Sequence, residues 1–431
     1  MQLVEQHVID QKDPRFAAID AATFASKNLY NAALYELRQS FITQGIYLHY
    51  GEMDRRMQGH ETYTALPAKV AQQVLRLLEK NWTSFFEALK AYKSDPRLFK
   101  ARPHLPHYKH KTAGRTVLIY TMQAVSRGKR TLERRIIIPS GLAISIKTQQ
   151  DPSSLAQVRI VPKRGYYVVE VVYEAEPRKT AVDALLYAGI DLGLNNLAAL
   201  TSNKPGFVPV LVNGRGMKAT NQFYNKRKAE LQQKASQTGT TKRLQQITTK
   251  RNRRIDHDLH HASRFLIELL VAEGIGTLVI GKNDGWKQNS NLGKRMNQHF
   301  VQIPHARFIS MLMYKAGRVG IRVILTEESY TSKASFLDRD PLPTYKQKGQ
   351  KAEQSFSGTR LKRGLYRARD GRLINADING SGNIVRKVAP NAFGSDGVED
   401  GVGHSPVVHP VRLSFPLTKP KTVTCHTCPL L

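Results

Sequence analysis

Apolar residues recur along this chain at two different spacings, and the switch between them divides it. Over 16–43, and again over 67–93, the spacing is helical. In the second stretch Val70, Val74, Leu77, Leu78, Phe85 and Leu89 share one face, and Pro67 suits the first turn. Residues 1–9 alternate weakly. Short β-type runs follow at 136–138, 142–146 and 166–173, separated by turn signals such as Pro139-Ser140-Gly141. These patterns predict a helical domain over 13–98. They also predict a small barrel or sandwich over 1–12 and 99–180, closed by the N-terminal strand. Near the junction, "FKARPHLPHYK" (99–109) interleaves basic and aromatic residues, and Pro103 and Pro106 forbid a regular helix.

A second architecture starts at "YAGIDLGLNNLAALTS" (187–202). Tyr187, Ala188 and Ile190 read as a strand that exits at Asp191. Gly193, Asn195 and Asn196 supply a turn, and 197–200 runs back. Apolar runs continue to 212. Then come a long basic helical stretch (217–273), a strand (276–281) and a polar segment holding Trp286. A helix over 304–319 carries Phe308, Met311, Leu312 and Val319 on its stripe. A strand (321–326), a Gly, Lys and Arg-rich loop with a hairpin near Asp370-Gly371, and a helix over 374–388 complete the pattern. The domain so outlined is 181–390, with 217–273 as a basic helical insertion. Residues 391–431 have no periodicity and read as a disordered tail.

Composition narrows the function. The chain has 431 residues, of which 41% are apolar, enough for several cores. Lys plus Arg number 66 and Asp plus Glu 34, a formal net charge of +32. Such a charge opposes compaction unless an anionic partner neutralises it. No stretch is long and apolar enough for a membrane span, and no signal peptide is visible, so the reading is a cytoplasmic nucleic-acid binder. Two cysteines, Cys425 and Cys428, cannot build a disulfide framework. With only His404, His409 and His426 nearby they make a weak zinc site, and no structural zinc is expected.

The basic stretch carries Lys242, Arg243, Lys250, Arg251, Arg253, Arg254 and Arg264 with few acids. A charge run is usually a solvated face. Its density here favours phosphate contact, and Lys287 and Arg102 are further candidates. His257 and His261 sit four apart beside Asp258, which resembles the zinc-protease spacing His-Glu-x-x-His only loosely; they belong to the polar face.

A single Asp at a strand end is ordinarily a turn residue, so Asp191 gains meaning only from company. Glu327 and Glu328 follow strand 321–326, and Asp377 opens a helix. The order strand–hairpin, helix, strand, helix, strand, helix is an RNase H-like layout that brings carboxylates from separate elements to one sheet edge. Several carboxylates are what two Mg²⁺ ions need as hard oxygen ligands, and such an ion pair activates water against a phosphodiester.

Four stretches in this order, "GIDLGLNNLAALT", "VIGKNDGWKQNSNLGKRMNQHFVQIPHARF", "EESYTSKASFLD" and "RGLYRARDGRLINADINGSGNIVRK", resemble the TnpB family of transposon-encoded RNA-guided nucleases, relatives of the type V CRISPR effectors. The resemblance implies an α/β + β multidomain protein: a RuvC-like nuclease domain, a β-barrel wedge domain and a helical recognition domain. It implies a guide RNA from the transposon end, a double-stranded DNA target and cleavage with Mg²⁺. Asp191 matches the first RuvC aspartate and Asp377 the last. Where many members carry the glutamate after the central strand, this chain has Gly281. Glu328 is then favoured as the third acid, over Glu327 and Asp284. Residues 333–376 hold no cysteine, which excludes the zinc ribbon many members have there. The other reading, prompted by Gly281, is a nuclease-inactive RNA-guided DNA-binding repressor.

Overall fold

The computed structural model describes residues 1–126, 128–178, 180–234, 241–283, 302–344, 355–393 and 410–415. It divides into two compact units, Met1–Glu176 and Pro177–Leu431. Among the described residues no helix is long and apolar enough to cross a membrane.

In the first unit, strands β1 (Gln2–Asp10), β2 (Leu118–Thr121), β3 (Ile136–Ile137), β4 (Ile146–Lys147), β5 (Leu155–Lys163) and β6 (Tyr166–Glu174) form an antiparallel sheet of order β1-β6-β5-β2 and a separate β3-β4 ribbon. The N-terminal strand pairs along its whole length with β6, from Gln2↔Glu174 to Asp10↔Tyr166. Gly165, at φ +80°, makes the β5–β6 turn. The helices are α1 (Phe16–Gln44), α2 (Tyr50–Met57), α3 (Glu61–Thr64), α4 (Ala68–Ser94) and the short α5 (Lys129–Glu133). Trp82 of α4 is fully buried, with Phe41 and Phe86 rings 5.2 Å and 5.8 Å away. Strand β5 has no counterpart in the apolar pattern. Gln157 and Arg159 alternate with the buried Val158 and Ile160, and Pro162 is tolerated because the β2 pairing stops at the Ile160 pair, so no ladder bond is needed from its nitrogen on that side.

The second unit is built on six strands: β7 (Asp183–Leu192), β8 (Asn196–Ser202), β9 (Val210–Asn213), β10 (Ile275–Gly281), β11 (Arg322–Thr326) and, late in the chain, an edge strand (Val411–Leu413). In sheet order they run β11, β10, β7, β8, β9, then the late strand. Strands β7, β8 and β9 are antiparallel neighbours, while β10 and β11 lie parallel to β7 on its other side. That is the RNase H-like order. All residues of β8 and of β10 are buried, as befits strands covered on both faces. Helix α6 (Arg215–Lys234) and helix α7 (Lys242–Ala272) replace the single long helix of the sequence reading; α8 (His305–Arg318) packs with α7, and α9 (Ala376–Val388) lies against β7 and β8.

Two features of the second unit depart from the sequence reading. The tail expected to be disordered supplies the sheet's last strand: Val411 pairs with Val210 and Leu413 with Val212, in parallel. A three-residue parallel strand joined to a partner two hundred positions away leaves no local signature. The loop without cysteines is held by carboxylates. Asp340, buried at 7% exposure, accepts hydrogen bonds from Ser335 N (2.7 Å), Ser357 N (3.0 Å) and Ser357 Oγ (2.6 Å). Asp338 accepts from Ser357 Oγ and from Arg369 N. The adjoining sheet consists of β12 (Thr359–Lys362), β13 (Leu365–Arg367) and β14 (Leu373–Ile374), so the edge strand is β15; Gly371, at φ +87°, makes the β13–β14 turn anticipated at Asp370-Gly371.

Candidate active site

Asp191 is the penultimate residue of β7, paired with Ala199 across the hairpin. The turn beyond it is braced from below, where the buried His305 ring Nε2 lies 3.1 Å from Gly193 O. Over the strand end passes the first turn of α9. Asn375 caps this helix, its Oδ1 accepting from Asp377 N (3.0 Å) and Ile378 N (3.3 Å). Asp377 therefore sits in the first turn, where the helix dipole favours a negative charge. Its Oδ2 accepts from Asn196 Nδ2 at 2.7 Å. One turn on, at the same face, is Gly380. A Cβ there would lie 2.7 Å from Asp191 Oδ2, so the absent side chain is what admits the Asp191 carboxylate against the helix.

Glu328 comes from the other side of β7. It follows β11, two residues past Thr326, which pairs with Gly281 at the end of β10. Its Oε2 lies 3.0 Å from the place a Cβ on Gly281 would occupy. Asn283 fixes it twice, donating from Nδ2 to Glu328 Oε1 (3.2 Å) and accepting at Oδ1 from Glu328 N (3.0 Å). Two residues later Tyr330 has φ +61°, an uncommon conformation for a bulky side chain and a source of strain beside the site.

Asp191 feels the other two acids. Asp191 retains some exposed surface but is packed closely by protein; burial, then the charges of Asp377 and Glu328, hold its carboxyl well above the usual range, with Arg360 opposing. Burial pushes Glu328 up to about 7. Among the described residues no three His, Cys, Asp or Glu side chains are grouped closely enough to hold an ion as they stand. The donor chemistry nonetheless fits a hard divalent cation. It is all oxygen, and it carries a mutual repulsion that a cation would relieve.

Glu327, the neighbouring acid, is engaged elsewhere. It forms an ion pair with Lys387, whose side chain is 5% exposed, and accepts from Ser329 N at 2.8 Å. Asp284, Trp286 and Lys287 lie outside the described residues, as do Cys425 and Cys428 with His404, His409 and His426.

The basic residues divide. Lys242, Arg243 and Lys250 are exposed on α7, as are Arg253, Arg254 and Arg264, the last two in ion pairs with Asp258 (3.4 Å) and Glu268 (2.6 Å). Arg102 is exposed in the first unit. Arg251 is half-buried: its guanidinium bonds Asn221 Oδ1 of α6 (2.7 Å), Gln302 O (2.9 Å) and Asn252 Oδ1 (2.9 Å), and the residue also lines the cleft between α6 and α7. A charge run alone does not reveal which member turns inward. The sequence reading also missed Phe223, 73% exposed in a cleft of about 610 Å³ between α6 and α7 with Arg227, Arg243 and Lys250. It missed the asparagines that hold the acids too, although Asn375 stands where an N-cap is to be sought.

Residues 170–287 match the family OrfB_IS605, described as a probable transposase, and residues 305–384 match the family Cas12f1-like, TNB domain. A curated relative, the CRISPR-associated endodeoxyribonuclease Cas12f1 of Sulfoacidibacillus thermotolerans, is 23% identical over 242 residues. The match covers 54% of this chain and 53% of the relative, so the chain spans about half the length of that protein. Among solved structures, a Cas12f1–sgRNA–target DNA complex is similar with a TM-score of 0.49 and 14% identity, covering 85% of this chain and 82% of the other. A mini-RNA-guided endonuclease, CRISPR-Cas_phi3, has a TM-score of 0.43 and 9% identity, covering 90% and 92%.

Proposed function

We propose that this chain, a TnpB/Cas12f-type protein, is an RNA-guided DNA endonuclease that cuts phosphodiester bonds with Asp191, Glu328 and Asp377 as its acids. The observation that carries the reading is the Glu328 carboxylate lying over Gly281, beside the acids at the ends of β7 and α9. The third carboxylate, missing at position 281, is supplied from the neighbouring strand.

In this reading Asp191 is the central ligand, held against α9 by the absence of a side chain at Gly380. Asp377 is oriented by Asn196, and Glu328 by Asn283. Asp377 and Glu328 thus each have one amide that fixes the rotamer and leaves other lone pairs open. Two Mg²⁺ ions, when bound, would activate a water and stabilise the leaving oxygen. The net charge of +32 fits guide RNA and target DNA as partners, with the exposed cations of α7 among the phosphate contacts. A guide transcribed from the transposon end is the form of RNA this family reading implies. A binding-only repressor draws its support from Gly281, and that support weakens once Glu328 occupies the same space. The test is a plasmid carrying a guide-matched target, incubated with guide-loaded protein and Mg²⁺. Linear product favours the nuclease, whereas tight binding without any cut favours the repressor.

A further inference from the structure

Asparagine is a poor helix former, because its side chain competes for backbone hydrogen bonds. Helix α9 nevertheless carries two in its interior, Asn379 and Asn383, four residues apart on one face and wholly buried. Their amides turn to the segment that follows Glu328. Asn383 Nδ2 donates to Thr331 O (3.0 Å) and to Ala334 O (2.8 Å). Asn379 Nδ2 also donates to Ala334 O (2.8 Å), and its Oδ1 accepts from Phe336 N (2.8 Å). Arg386 Nη1 donates to Asn383 Oδ1 (2.9 Å), which holds that amide in one orientation. The other wholly buried polar side chain of this helix, Ser381, faces the sheet instead and donates to Gly189 O (3.2 Å).

The segment so gripped turns back on Glu328. Thr331 donates from both N (3.3 Å) and Oγ1 (2.9 Å) to Glu328 O. Between the two residues Tyr330 holds φ +61°. Such a conformation persists only where its surroundings over-determine it, and the asparagines supply that constraint at Thr331 O and Ala334 O. A continuous path of hydrogen bonds thus runs from the Glu328 carbonyl through Thr331 to Asn383, in the same helix as Asp377. One turn further along, Lys387 pairs with Glu327 and ties the start of the segment. Buried amides are bonded wherever they occur, so bonding alone would mark only a core. This pair differs in what it joins: the helix of one acid to the turn of another, across a strained residue.

We propose that Asn379 and Asn383 are positioning residues that keep the turn bearing Glu328 in register with the helix bearing Asp377. The consequence for cutting rests on the nuclease reading; the tie between the two acids does not.

The test uses full-length guide-loaded protein and the single variants Asn383→Ala and Asn379→Ala, beside Leu259→Ala, which truncates a buried core residue of α7. Hydrogen exchange over 328–331 is measured first, without divalent cation. The amides of Glu328, Ser329 and Thr331 are bonded to Asn283, Glu327 and Glu328. Asn383→Ala takes no acceptor from them, so faster exchange reports a loosened turn and not a lost bond. Exchange there is expected to rise at least about 10-fold in Asn383→Ala, and by no more than in the rest of the unit in Leu259→Ala. With a guide-matched DNA target, kcat for Asn383→Ala should fall roughly 10- to 100-fold while KM for DNA stays within about 3-fold. The Mg²⁺ concentration for half-maximal rate should rise roughly 10-fold. Asn379→Ala, which keeps both Asn383 bonds to the segment, should show the same pattern more weakly, and it carries the test should Asn383→Ala fail to fold. Unchanged exchange over 328–331 would overturn the proposal. So would a kcat for Asn383→Ala no lower than that of Leu259→Ala, each assayed equally far below its thermal midpoint; the asparagines would then be core residues alone. Should wild type never cut, the nuclease reading fails and exchange alone decides: if it is faster in Asn383→Ala the tie stands, and if it is unchanged the tie falls.

Discussion

The carboxylate of Glu328 occupies the space that a side chain on Gly281 would fill, its Oε2 3.0 Å from the missing Cβ. The two residues sit at the ends of adjacent parallel strands, with Gly281 paired to Thr326. A glutamate on either strand end can therefore reach the same point, but both cannot. A Cβ at 281 would also come within 2.6 Å of Ile384 Cδ1.

Gly281→Glu alone should destabilise the protein by about 1–3 kcal/mol, through overpacking and a further like charge. Combined with Glu328→Ala it should recover at least about 10-fold of the cleavage that Glu328→Ala loses, because the carboxylate returns from the other strand. Chemical denaturation and single-turnover cleavage measure the two effects. A double variant no better than Glu328→Ala would mean the two positions do not share one site.

Metal-free stability should depend on pH through the acids. Glu328 is raised from 4.5 to about 7 by burial, and Asp191 is raised in the same direction. The folded state then holds its protons more tightly than the unfolded chain. That contribution is full below about 4.5 and is lost as pH rises through about 7. Glu328→Gln removes the loss, so in chelator at pH 8 it should be more stable than wild type by on the order of 2 kcal/mol, and near equal at pH 4.5. Thermal melts across pH decide this. Parallel pH profiles for the two proteins would contradict it.

Asn283→Ala should leave guide-RNA affinity unchanged and lower kcat by roughly 10- to 100-fold, because Glu328 loses both hydrogen bonds by which Asn283 orients it. The Mg²⁺ concentration for half-maximal rate should rise as well. A normal rate at limiting Mg²⁺ would show that Asn283 has no part in holding the acid.

Asp340→Ala should cost about 2–4 kcal/mol, since it strips three donors of their acceptor in a buried loop. Asp340→Asn should cost less, keeping one acceptor oxygen. Urea unfolding of both variants gives the comparison; near-wild-type stability of the Ala variant would remove the carboxylate clasp from the account.

Much of the second unit was legible in the sequence. The apolar runs around Asp191, 276–281 and 321–326 fixed the strands, and their alternation with helices implied the sheet. Asp191, Asp377 and Glu328 were candidates because each ends or follows a strand or opens a helix, and the family resemblance singled them out. The rest depends on contacts that local pattern does not carry. Asn283 and Asn196 are ordinary polar residues until they are seen against the carboxylates they hold. Glu327 and Glu328 are neighbours of the same type, and local pattern does not say that one pairs with the buried Lys387 and the other with Asn283. Arg251 shares its spelling with the exposed cations around it but faces α6. Strand β15 exists through pairing with Val210–Val212, and nothing between Pro390 and Val411 announces it.

The central claim is that Glu328 completes a cutting site with Asp191 and Asp377. Its most direct test is Glu328→Gln, which keeps the shape and removes the charge, assayed on a guide-matched DNA target with saturating Mg²⁺ beside wild type and Asp191→Asn. Both variants are expected to bind guide and target as wild type does, with cleavage lower than wild type by at least about 10³-fold in each. Cleavage by Glu328→Gln at near wild-type rate, with Asp191→Asn dead, would contradict it and move the third acid elsewhere.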